Sequence, residues 1–332
     1  MPLSAVAVSD VAPLLQVRDL DVRFGSRAVV RDVSFDLFAG ETLGLVGESG
    51  SGKSTLARAI LRLVRASKGS VMWRGQDLLA CDSISLRRLR RELQIVFQDP
   101  LASLNPRMRV RDIIAEPLRI FEASLGAETH RSRVNAMLER VGLTSAMGER
   151  YPHEFSGGQC QRIGIARAMM MAPEFLICDE PVSSLDVSIQ GQIVNLLLDL
   201  QRDVGTAMLF ISHNLAIVRH VSHRVLVMYA GELLETAPRD ALFAAPVHPY
   251  TRALLAAVPA AFPGATRAAP SLLAAPICEP ENSPYLVGCT YRGRCPYAVG
   301  VCATLAPSLE ETAPGHRVAC HRAKEFPLSL TT

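Results

Sequence analysis

The chain has 332 residues, of which 49% are hydrophobic and 20% charged, with a formal net charge of +3. This length and apolar content suffice for one large domain with a packed core and a smaller one, which argues against disorder of the whole chain. The net charge is small and no lysine and arginine run is dense enough to mark a nucleic-acid track, so we expect no polyanionic partner.

The first residues lack the basic start and apolar core of a signal peptide, and no later run approaches about 20 apolar residues without charge or proline. We therefore expect a soluble chain that is not exported. In a reducing compartment the eight cysteines are expected to be thiols or metal ligands rather than disulfides.

Residues 14 to about 75 predict short strands separated by turn residues, with one helix after Lys53. The strand segments are LLQVRDLDVRF, VVRDVSFDL, TLGLVG and SVMW, and a further strand, LQIVFQ, spans 93–98. Between about 101 and 172, apolar residues recur three and four apart, which predicts a helical subdomain. Its helical segments are VRDIIAEPLRIF, HRSRVNAMLERVG and QCQRIGIARAMMM.

Alternating strand and helix patterns then return and predict an α/β fold with a mostly parallel sheet. The segments are FLICDEP, SIQGQIVNLLLDLQRDVG, TAMLFISH and RVLVMYAGELLE. After about Pro246 the composition shifts to alanine and proline, followed by a cysteine-bearing tail. We therefore predict a nucleotide-binding domain over 14–245 and an extension over 246–332.

The segment GESGSGKS, residues 47–54, fits a phosphate-binding loop between an apolar strand and a helix. Its glycines let backbone N–H groups converge on phosphate oxygens, and the helix adds the positive end of its dipole. Lys53, in a chain with only three lysines, would bridge the β- and γ-phosphates of ATP, and Ser54 would ligate Mg²⁺. The predicted nucleotide-binding residues here are Gly47, Ser49, Gly50, Ser51, Gly52, Lys53, Ser54 and Thr55.

Acidic residues end the buried strand FLICD, where ligands of open α/β sheets bind. Asp179 would hold Mg²⁺, directly or through water, and Glu180 would be the general base for the attacking water. Gln98, at the end of LQIVFQ, can reach the metal or the water, and His213, at the end of LFISH, can donate to a γ-phosphate oxygen.

A second anion-binding segment is FSGGQ, residues 155–159. Ser156, Gly157, Gly158 and Gln159 precede a helical pattern, so they predict a helix N-terminus with N–H groups and a hydroxyl that suit an anion. From these residues alone, a plain N-cap is an equal alternative.

Six motifs together resemble the ATP-binding cassette family: GESGSGKST, the glutamine of IVFQDP, SGGQ, FLICDEP, SSLD and ISH occur in the order and at the separations of that family, over about 14–245. The resemblance implies a head-to-tail dimer in which the SGGQ segment of one chain caps ATP held by the other. It also implies that Asp186 lies at that interface and that Phe24 stacks on adenine. Cys160 departs from the pattern, because relatives usually carry a basic residue there; we expect dimer closure to survive and a local contact to weaken.

Four further segments resemble the ATPase subunits of bacterial dipeptide and oligopeptide importers, with nickel and glutathione importers as close kin: YPHEFSGGQ, DEPVSSLDVSIQGQIVNLL, HPYTRALLAAVP and GCTYRGRCPYA. This resemblance implies a second homologous ATPase subunit, two transmembrane permease subunits that dock near Gln98 and the helical subdomain, and an extracytoplasmic peptide-binding protein. It places the chain at the cytoplasmic face of the inner membrane.

The alternatives are an ATPase for nickel, glutathione or another small solute, a cassette protein of phosphonate metabolism that drives no transport, and an ATPase acting on DNA or the ribosome. The last lacks support, since this chain has one cassette and no long coiled coil.

Four cysteines of the tail, Cys289, Cys295, Cys302 and Cys320, are spaced C-x5-C-x6-C-x17-C. Relatives with this pattern are thought to hold a [4Fe-4S] cluster, and four thiolates suit one. Zinc and unliganded buried thiols remain the alternatives. The spacing of the cysteines is looser than that of a zinc knuckle, which argues weakly against zinc. Cys278 could substitute as a ligand, whereas Cys81 and Cys178 are expected to be small core residues.

Overall fold

A computed structural model describes residues 12–257 and 287–326 of the chain. Cys278, expected as a substitute ligand, lies outside these ranges. The described residues belong to two compact units. Within the described ranges, one unit comprises residues 12–36, 43–79, 212–257 and 287–326, and the other comprises residues 37–42 and 80–211.

The strands of the described part are, in chain order, β1 (Leu15–Phe24), β2 (Arg27–Leu37), β3 (Thr42–Val46), β4 (Lys68–Trp73), β5 (Gln76–Asp77), β6 (Leu93–Val96), β7 (Phe175–Asp179), β8 (Ala207–Ile211), β9 (Arg224–Tyr229), β10 (Glu232–Pro238), β11 (Glu310–Ala313) and β12 (His316–Val318). Its α-helices are α1 (Lys53–Ile60), α2 (Ser83–Leu89), α3 (Pro100–Ser103), α4 (Val110–Phe121), α5 (Ala127–Arg140), α6 (Gly157–Met169), α7 (Val187–Val204), α8 (Leu215–Val221), α9 (Arg239–Ala244), α10 (Pro249–Ala256) and α11 (Val301–Thr304).

The first unit contains a four-stranded sheet in the order β2-β1-β4-β5. Its central pair, β1 and β4, is antiparallel with Leu15 opposite Trp73, and a bulge interrupts the register between Arg18 and Asp21. Alternate residues of β1, including Leu15 and Val17, are fully buried, as the alternation of its sequence predicts. The short strands predicted from residue 14 to about 75 are therefore confirmed, and they form an antiparallel β subdomain of the ATPase fold.

The remaining strands of this unit are hydrogen-bonded in the order β11-β12-β10-β9-β3. Strand β3 runs parallel to β9, with Val46 opposite Val227, and delivers the chain to the loop before α1. All five residues of β3 are buried, which is typical of a parallel strand covered on both faces.

The second unit is built on the parallel strands β6, β7 and β8, in which Ile95 pairs with Ile177 and Ile177 with Leu209. Helices α3, α4, α5 and α6 pack on one another within the predicted helical region. Helix α4 buries Ile113, Ile114 and Leu118, so its apolar stripe follows the three- and four-residue spacing of the sequence.

Two features depart from the expected mostly parallel sheet. The segment RVLVMYAGELLE is an antiparallel hairpin of β9 and β10, not a strand that enters a helix. Ala230 and Gly231 reverse the chain with φ angles of 46° and 92°, which is the geometry of a tight hairpin turn. Strands β11 and β12 of the tail then add antiparallel pairs beside β10.

Among the described residues, no helix combines the length and the apolar character that crossing a bilayer requires.

Candidate functional site

The loop Gly47–Ser54, called the phosphate loop below, joins β3 to α1 in the first unit. Two of its glycines cannot be replaced without moving backbone. A Cβ on Gly47 would lie 2.1 Å from the Met228 carbonyl oxygen, and one on Gly52, with φ of 104°, would lie 2.6 Å from the Val29 carbonyl oxygen. The loop therefore lies against the main chain of neighbouring strands, as a backbone cradle for an anion requires.

The Lys53 side chain is 4% exposed and folds back over the loop. Its ammonium donates to the carbonyl oxygens of Gly47 and Glu48, both at 2.8 Å, and to the Ser51 hydroxyl at 3.4 Å. Carbonyl and hydroxyl oxygens of the loop therefore hold the ammonium. The motif predicts phosphate at this position.

The other nucleotide-binding residues predicted in the first unit lie in the phosphate loop, in the first turn of α1 and at the end of β1. Ser49 and Gly50 are exposed at the loop tip, and Ser54 and Thr55 are half-buried in the first turn of α1. Phe24 ends β1 with 54% of its surface exposed. An exposed aromatic ring is available for stacking, so the geometry is compatible with the adenine role expected of it.

The predicted acidic edge lies in the second unit, at the carboxyl end of β7. Asp179 is fully buried, and Glu180 follows it with a φ of 47°, in the left-handed region that non-glycine residues rarely occupy. Gln98 Nε2 donates to Glu180 Oε2 at 3.2 Å, so the structure brings these two predicted residues together. Strain at Glu180 is compatible with a functional position.

His213 is exposed two residues after β8 ends at Ile211. Asn214, directly after it, caps α8 by accepting from the N–H groups of Ala216 and Ile217. This cap fixes the backbone from which the His213 side chain projects. The contact of His213 with a γ-phosphate stays a prediction.

The SGGQ segment begins α6 in the second unit and forms a capping box. Ser156 Oγ accepts from the Gln159 N–H at 3.3 Å, and Gln159 Oε1 accepts from the Ser156 N–H at 3.0 Å. A Cβ on Gly158 would lie 2.8 Å from Ile189 Cγ2, which explains the glycine. The N-cap predicted as an alternative therefore exists, and it coexists with an open helix end.

A cleft of about 600 Å³ lies in front of this helix end. Its wall includes Ser156, Gly157, Gly158, Gln159, Arg162, Ser184 and Asp186. Asp186 is exposed and is the N-cap residue of α7, and Val187 next to it is 84% exposed. Both residues therefore belong to the exposed surface beside the cleft.

Cys160 is fully buried, and its thiol donates to the Pro152 carbonyl oxygen at 3.4 Å. Burial raises the pKa of this thiol. The position therefore belongs to the packing beneath the SGGQ segment. A basic residue there would have to extend its charge out of this buried environment.

Three residues at the phosphate loop were not expected from the sequence. Arg294 donates two hydrogen bonds to the Glu48 carboxylate, at 2.8 and 3.0 Å. The Tyr250 hydroxyl accepts from the Glu48 N–H at 2.9 Å. Tyr250 and Arg294 belong to HPYTRALLAAVP and GCTYRGRCPYA, which the sequence marked only as family segments, and Glu48 occupies a position that the motif leaves variable.

A buried carboxylate joins the tail to the rest of the first unit. Glu235 is fully buried in β10 and accepts from the N–H groups of Val247 at 2.8 Å and His248 at 2.9 Å, and it contacts His316 Nε2 at 2.7 Å. His248 in turn accepts from the Tyr250 N–H through Nδ1 at 3.0 Å. Burial lowers the pKa of His248 to about 4, which leaves this imidazole neutral.

The four tail cysteines lie close enough for Cys302, Cys295 and Cys320 to act electrostatically on Cys289. Burial raises the pKa of Cys289 to about 11; the N–H of Tyr291 opposes this rise, and the charges of Cys302, Cys295 and Cys320 add to it. No three His, Cys, Asp or Glu side chains within 12–257 and 287–326 are arranged as a metal site. Cys178 is fully buried in β7, as expected of a core residue, whereas Cys81 is half-buried.

Comparison with known proteins defines the family. A sequence profile described as "ABC transporter" matches residues 30–183, and one described as "Oligopeptide/dipeptide transporter, C-terminal region" matches residues 234–302. The oligopeptide transport ATP-binding protein OppF of Salmonella typhimurium is 50% identical over 321 residues, covering 92% of this chain and 95% of that protein. The protein of the same name from Haemophilus influenzae is 51% identical over 292 residues, covering 88% of this chain and 87% of that protein.

Solved structures agree on the fold. The ATP-binding cassette MJ0796, a dimer in a post-hydrolysis state bound to ADP and Pi, is 25% identical with a TM-score of 0.62, covering 68% of this chain and 98% of that chain. CbiO1 of Clostridium perfringens, part of the ABC transporter complex CbiONQ, is 26% identical with a TM-score of 0.62, covering 70% of this chain and 91% of its own. The chain therefore belongs to the ABC transporter ATPases, in the branch of the oligopeptide transport ATP-binding proteins.

Proposed function

We propose that this chain is the ATP-hydrolysing subunit that powers import of dipeptides or oligopeptides through a membrane permease. The observation that carries the proposal is 50% identity to an oligopeptide transport ATP-binding protein over 92% of the chain. Closure of a dimer around ATP, and its opening after hydrolysis, would supply the mechanical work.

The phosphate loop is proposed to hold the triphosphate. The buried ammonium of Lys53 would exchange its carbonyl partners for β- and γ-phosphate oxygens, which offer it a full opposite charge. Backbone N–H groups of Gly47–Thr55 would bind the remaining oxygens. Phe24, 54% exposed, would stack on adenine.

Glu180 is proposed as the general base. Its carboxylate oxygen already accepts from Gln98, and this contact would orient it toward a water. His213 would donate to the γ-phosphate. Ser54, Asp179 and Gln98 would hold Mg²⁺ through oxygen atoms, the donors that this ion prefers, and the ion would offset phosphate charge.

The SGGQ segment is proposed to bind the nucleotide of another chain. Its helix end opens on a cleft of about 600 Å³ with exposed Asp186 at the wall, which supports a partner there. Ser156, Gly157, Gly158 and Gln159 would cap the γ-phosphate held by the phosphate loop of a second homologous ATPase subunit.

The further partners that we propose are two transmembrane permease subunits and an extracytoplasmic peptide-binding protein. The family placement supports them, and the chain would be peripheral at the cytoplasmic face of the inner membrane. Nickel, glutathione or another small solute, or a role in phosphonate metabolism without transport, are the competing assignments. Purification of the chain with its companions, followed by identification of the ligand of the binding protein, separates them: a bound peptide supports import of peptides.

We also propose a [4Fe-4S] cluster on Cys289, Cys295, Cys302 and Cys320. Four cysteines supply the thiolate donors that such a cluster takes. Burial raises the pKa of Cys289, Cys295 and Cys320, and N–H hydrogen bonds from the residues two positions on oppose that rise, which favours the thiolate that a metal binds. A bound cluster would cross-link the tail. Anaerobic purification tests this: iron and visible absorbance support the cluster, zinc alone replaces it, and the absence of both removes the claim.

The hydrolytic assignment is tested with two variants. Glu180→Gln should bind ATP normally, hydrolyse it about 10²–10⁴-fold more slowly and accumulate as a nucleotide-trapped dimer. Lys53→Ala should lose ATP binding, whereas the control Lys324→Ala, in the tail, should behave as the parent. Hydrolysis at the parent rate by Glu180→Gln would show that Glu180 is not the base.

A further inference from the structure

We propose that Arg294 and Tyr250 are positioning residues for ATP, and that through Arg294 the cysteine tail, residues 287–326, sets the affinity of the phosphate loop. The inference rests on the proposed function, since it requires that this loop binds ATP. It assigns a task to a region whose fold is otherwise unrelated to a nucleotide.

Glu48 is the residue through which the phosphate loop can be controlled. Its carbonyl oxygen accepts from Lys53 Nζ at 2.8 Å and from the Ser51 N–H at 3.2 Å. A displacement of Glu48 would therefore move both the ammonium expected to bind phosphate and the turn that shapes the loop. Neither contact depends on the Glu48 side chain, which remains available for another element.

Tyr250 holds the main chain of Glu48. Its hydroxyl accepts from the Glu48 N–H at 2.9 Å, and its ring is 1% exposed between those of Tyr229 and Tyr291, at centroid distances of 4.8 and 5.4 Å. His248 fixes the start of the helix that carries Tyr250. The packed tyrosine therefore limits movement of the Glu48 main chain in the phosphate loop.

Arg294 holds the side chain of Glu48. The pair is bidentate, and the Arg294 side chain is only 11% exposed, against 38% for Glu48. The guanidinium also lies over the rings of Tyr229 and Tyr291, at 5.8 and 5.9 Å from their centroids. A bidentate contact on a planar support fixes direction as well as charge, which lysine cannot do.

Charge decides whether loss of Arg294 weakens or strengthens ATP binding. A carboxylate beside a site for a triphosphate repels the ligand, and Arg294 neutralises that carboxylate. Loss of the guanidinium should therefore weaken ATP binding, and subsequent removal of the Glu48 carboxylate should restore it. A purely structural role for Arg294 predicts that ATP binding is not restored, because removing a second side chain would not repair packing.

The cysteine tail controls where Arg294 lies. Arg294 is in a 3₁₀ turn, Arg292–Arg294, and its N–H donates to the Tyr291 carbonyl at 3.0 Å. Cys289 and Cys295 flank this turn, and the Cys289 N–H donates to the Cys302 carbonyl at 2.8 Å. Any change that opens the backbone around these cysteines displaces the arginine that balances Glu48.

The test measures the dissociation constant of a fluorescent ATP analogue with Mg²⁺ on the full chain. Arg294→Ala should weaken binding about tenfold, an effect that shrinks with added salt, and the double variant Arg294→Ala/Glu48→Ala should return to within about threefold of the parent. Arg294→Lys, which keeps the charge but not the fork, should lose about threefold. It supplies the comparison if Arg294→Ala does not fold. The control Arg292→Gln, in the same turn, should match the parent.

Two results would overturn the inference. Binding by Arg294→Ala at the parent affinity would remove the positioning role, and a double variant as weak as the single one would show a structural effect only. A parent chain that binds no ATP would instead reject the proposed function, and this inference with it.

Discussion

The Arg294 guanidinium and the Glu48 carboxylate share two hydrogen bonds, of 2.8 and 3.0 Å, across 246 residues of chain. One partner lies in the phosphate loop and the other between two tail cysteines. The tail of this chain is thus in direct contact with the loop expected to hold ATP. Contacts of this kind can couple the state of an accessory region to the affinity of a nucleotide site.

Glu235 should be the residue on which attachment of the tail depends most. Its fully buried carboxylate accepts from Val247 and His248 and contacts His316, so Glu235→Ala would leave these groups buried without their acceptor. We expect a loss of about 3–5 kcal/mol in the free energy of unfolding, measured by urea denaturation. The exposed Glu310→Ala should lose less than about 0.5 kcal/mol. Equal losses in both variants would contradict this account.

Acid should destabilise the protein through His248. Burial lowers its pKa to about 4 from an ordinary 6.5, so between these values the unfolded chain binds the proton that the folded chain rejects. The stabilisation is complete above pH 6.5 and is lost as the pH falls to 4. Its full size is on the order of 3 kcal/mol, with the opposing charge of Glu235 already included in the pKa of about 4.

His248→Asn isolates this contribution. Asparagine retains an acceptor for the Tyr250 N–H but does not titrate in this range. Urea denaturation of both proteins at pH 7 and pH 4.5 should show a steeper loss in the parent. Parallel losses would mean that His248 is not the titrating group.

Gly231 should be intolerant of any side chain. Its φ is 92°, and an added Cβ would lie 2.6 Å from the Val29 carbonyl oxygen. The Gly231 N–H donates to the Ser51 carbonyl oxygen of the phosphate loop at 2.9 Å. Gly231→Ala should lose about 2 kcal/mol or more of stability and weaken ATP binding. Gly25→Ala, where φ is 60° and no atom lies within 4 Å of the added Cβ, should lose only about 1 kcal/mol.

Replacing Glu180 with glycine should remove activity without lowering stability. Its φ of 47° costs about 1–2 kcal/mol for a residue with a side chain, and glycine relieves this strain. Glu180→Gly should therefore abolish hydrolysis while stability stays equal or rises by up to about 1 kcal/mol. Glu174→Gly, just before the same strand, should lower stability. A large stability loss in Glu180→Gly would show that the strain account is wrong.

The sequence predicted regular elements well wherever periodicity and burial coincide. Strand β7 is apolar throughout and fully buried, and α4 begins and ends where its apolar stripe does. The β9–β10 hairpin was missed because Ala230 in a left-handed conformation is not a common turn signal, although Gly231 is. The domain boundary near 245 and the nucleotide roles of the site residues stay predictions.

The contacts at Glu48 could not have been predicted from local patterns. Hydrogen bonds between residues 246 positions apart leave no periodicity, and the motif leaves this position variable. A capping box at Ser156 and Gln159 could be recognised from its spacing, but the cleft in front of it depends on how α6 and α7 pack.

One cross-linking measurement tests whether ATP is shared between chains. A photoreactive amino acid at Ser184, exposed at the wall of the cleft, is placed in the Glu180→Gln background, and light and heavy isotope-labelled ATPase subunits are mixed in the assembled complex. The account predicts ATP-dependent cross-links from one chain to the phosphate loop of another. Cross-links confined to residues 47–55 of the same molecule, or independent of ATP, would contradict it.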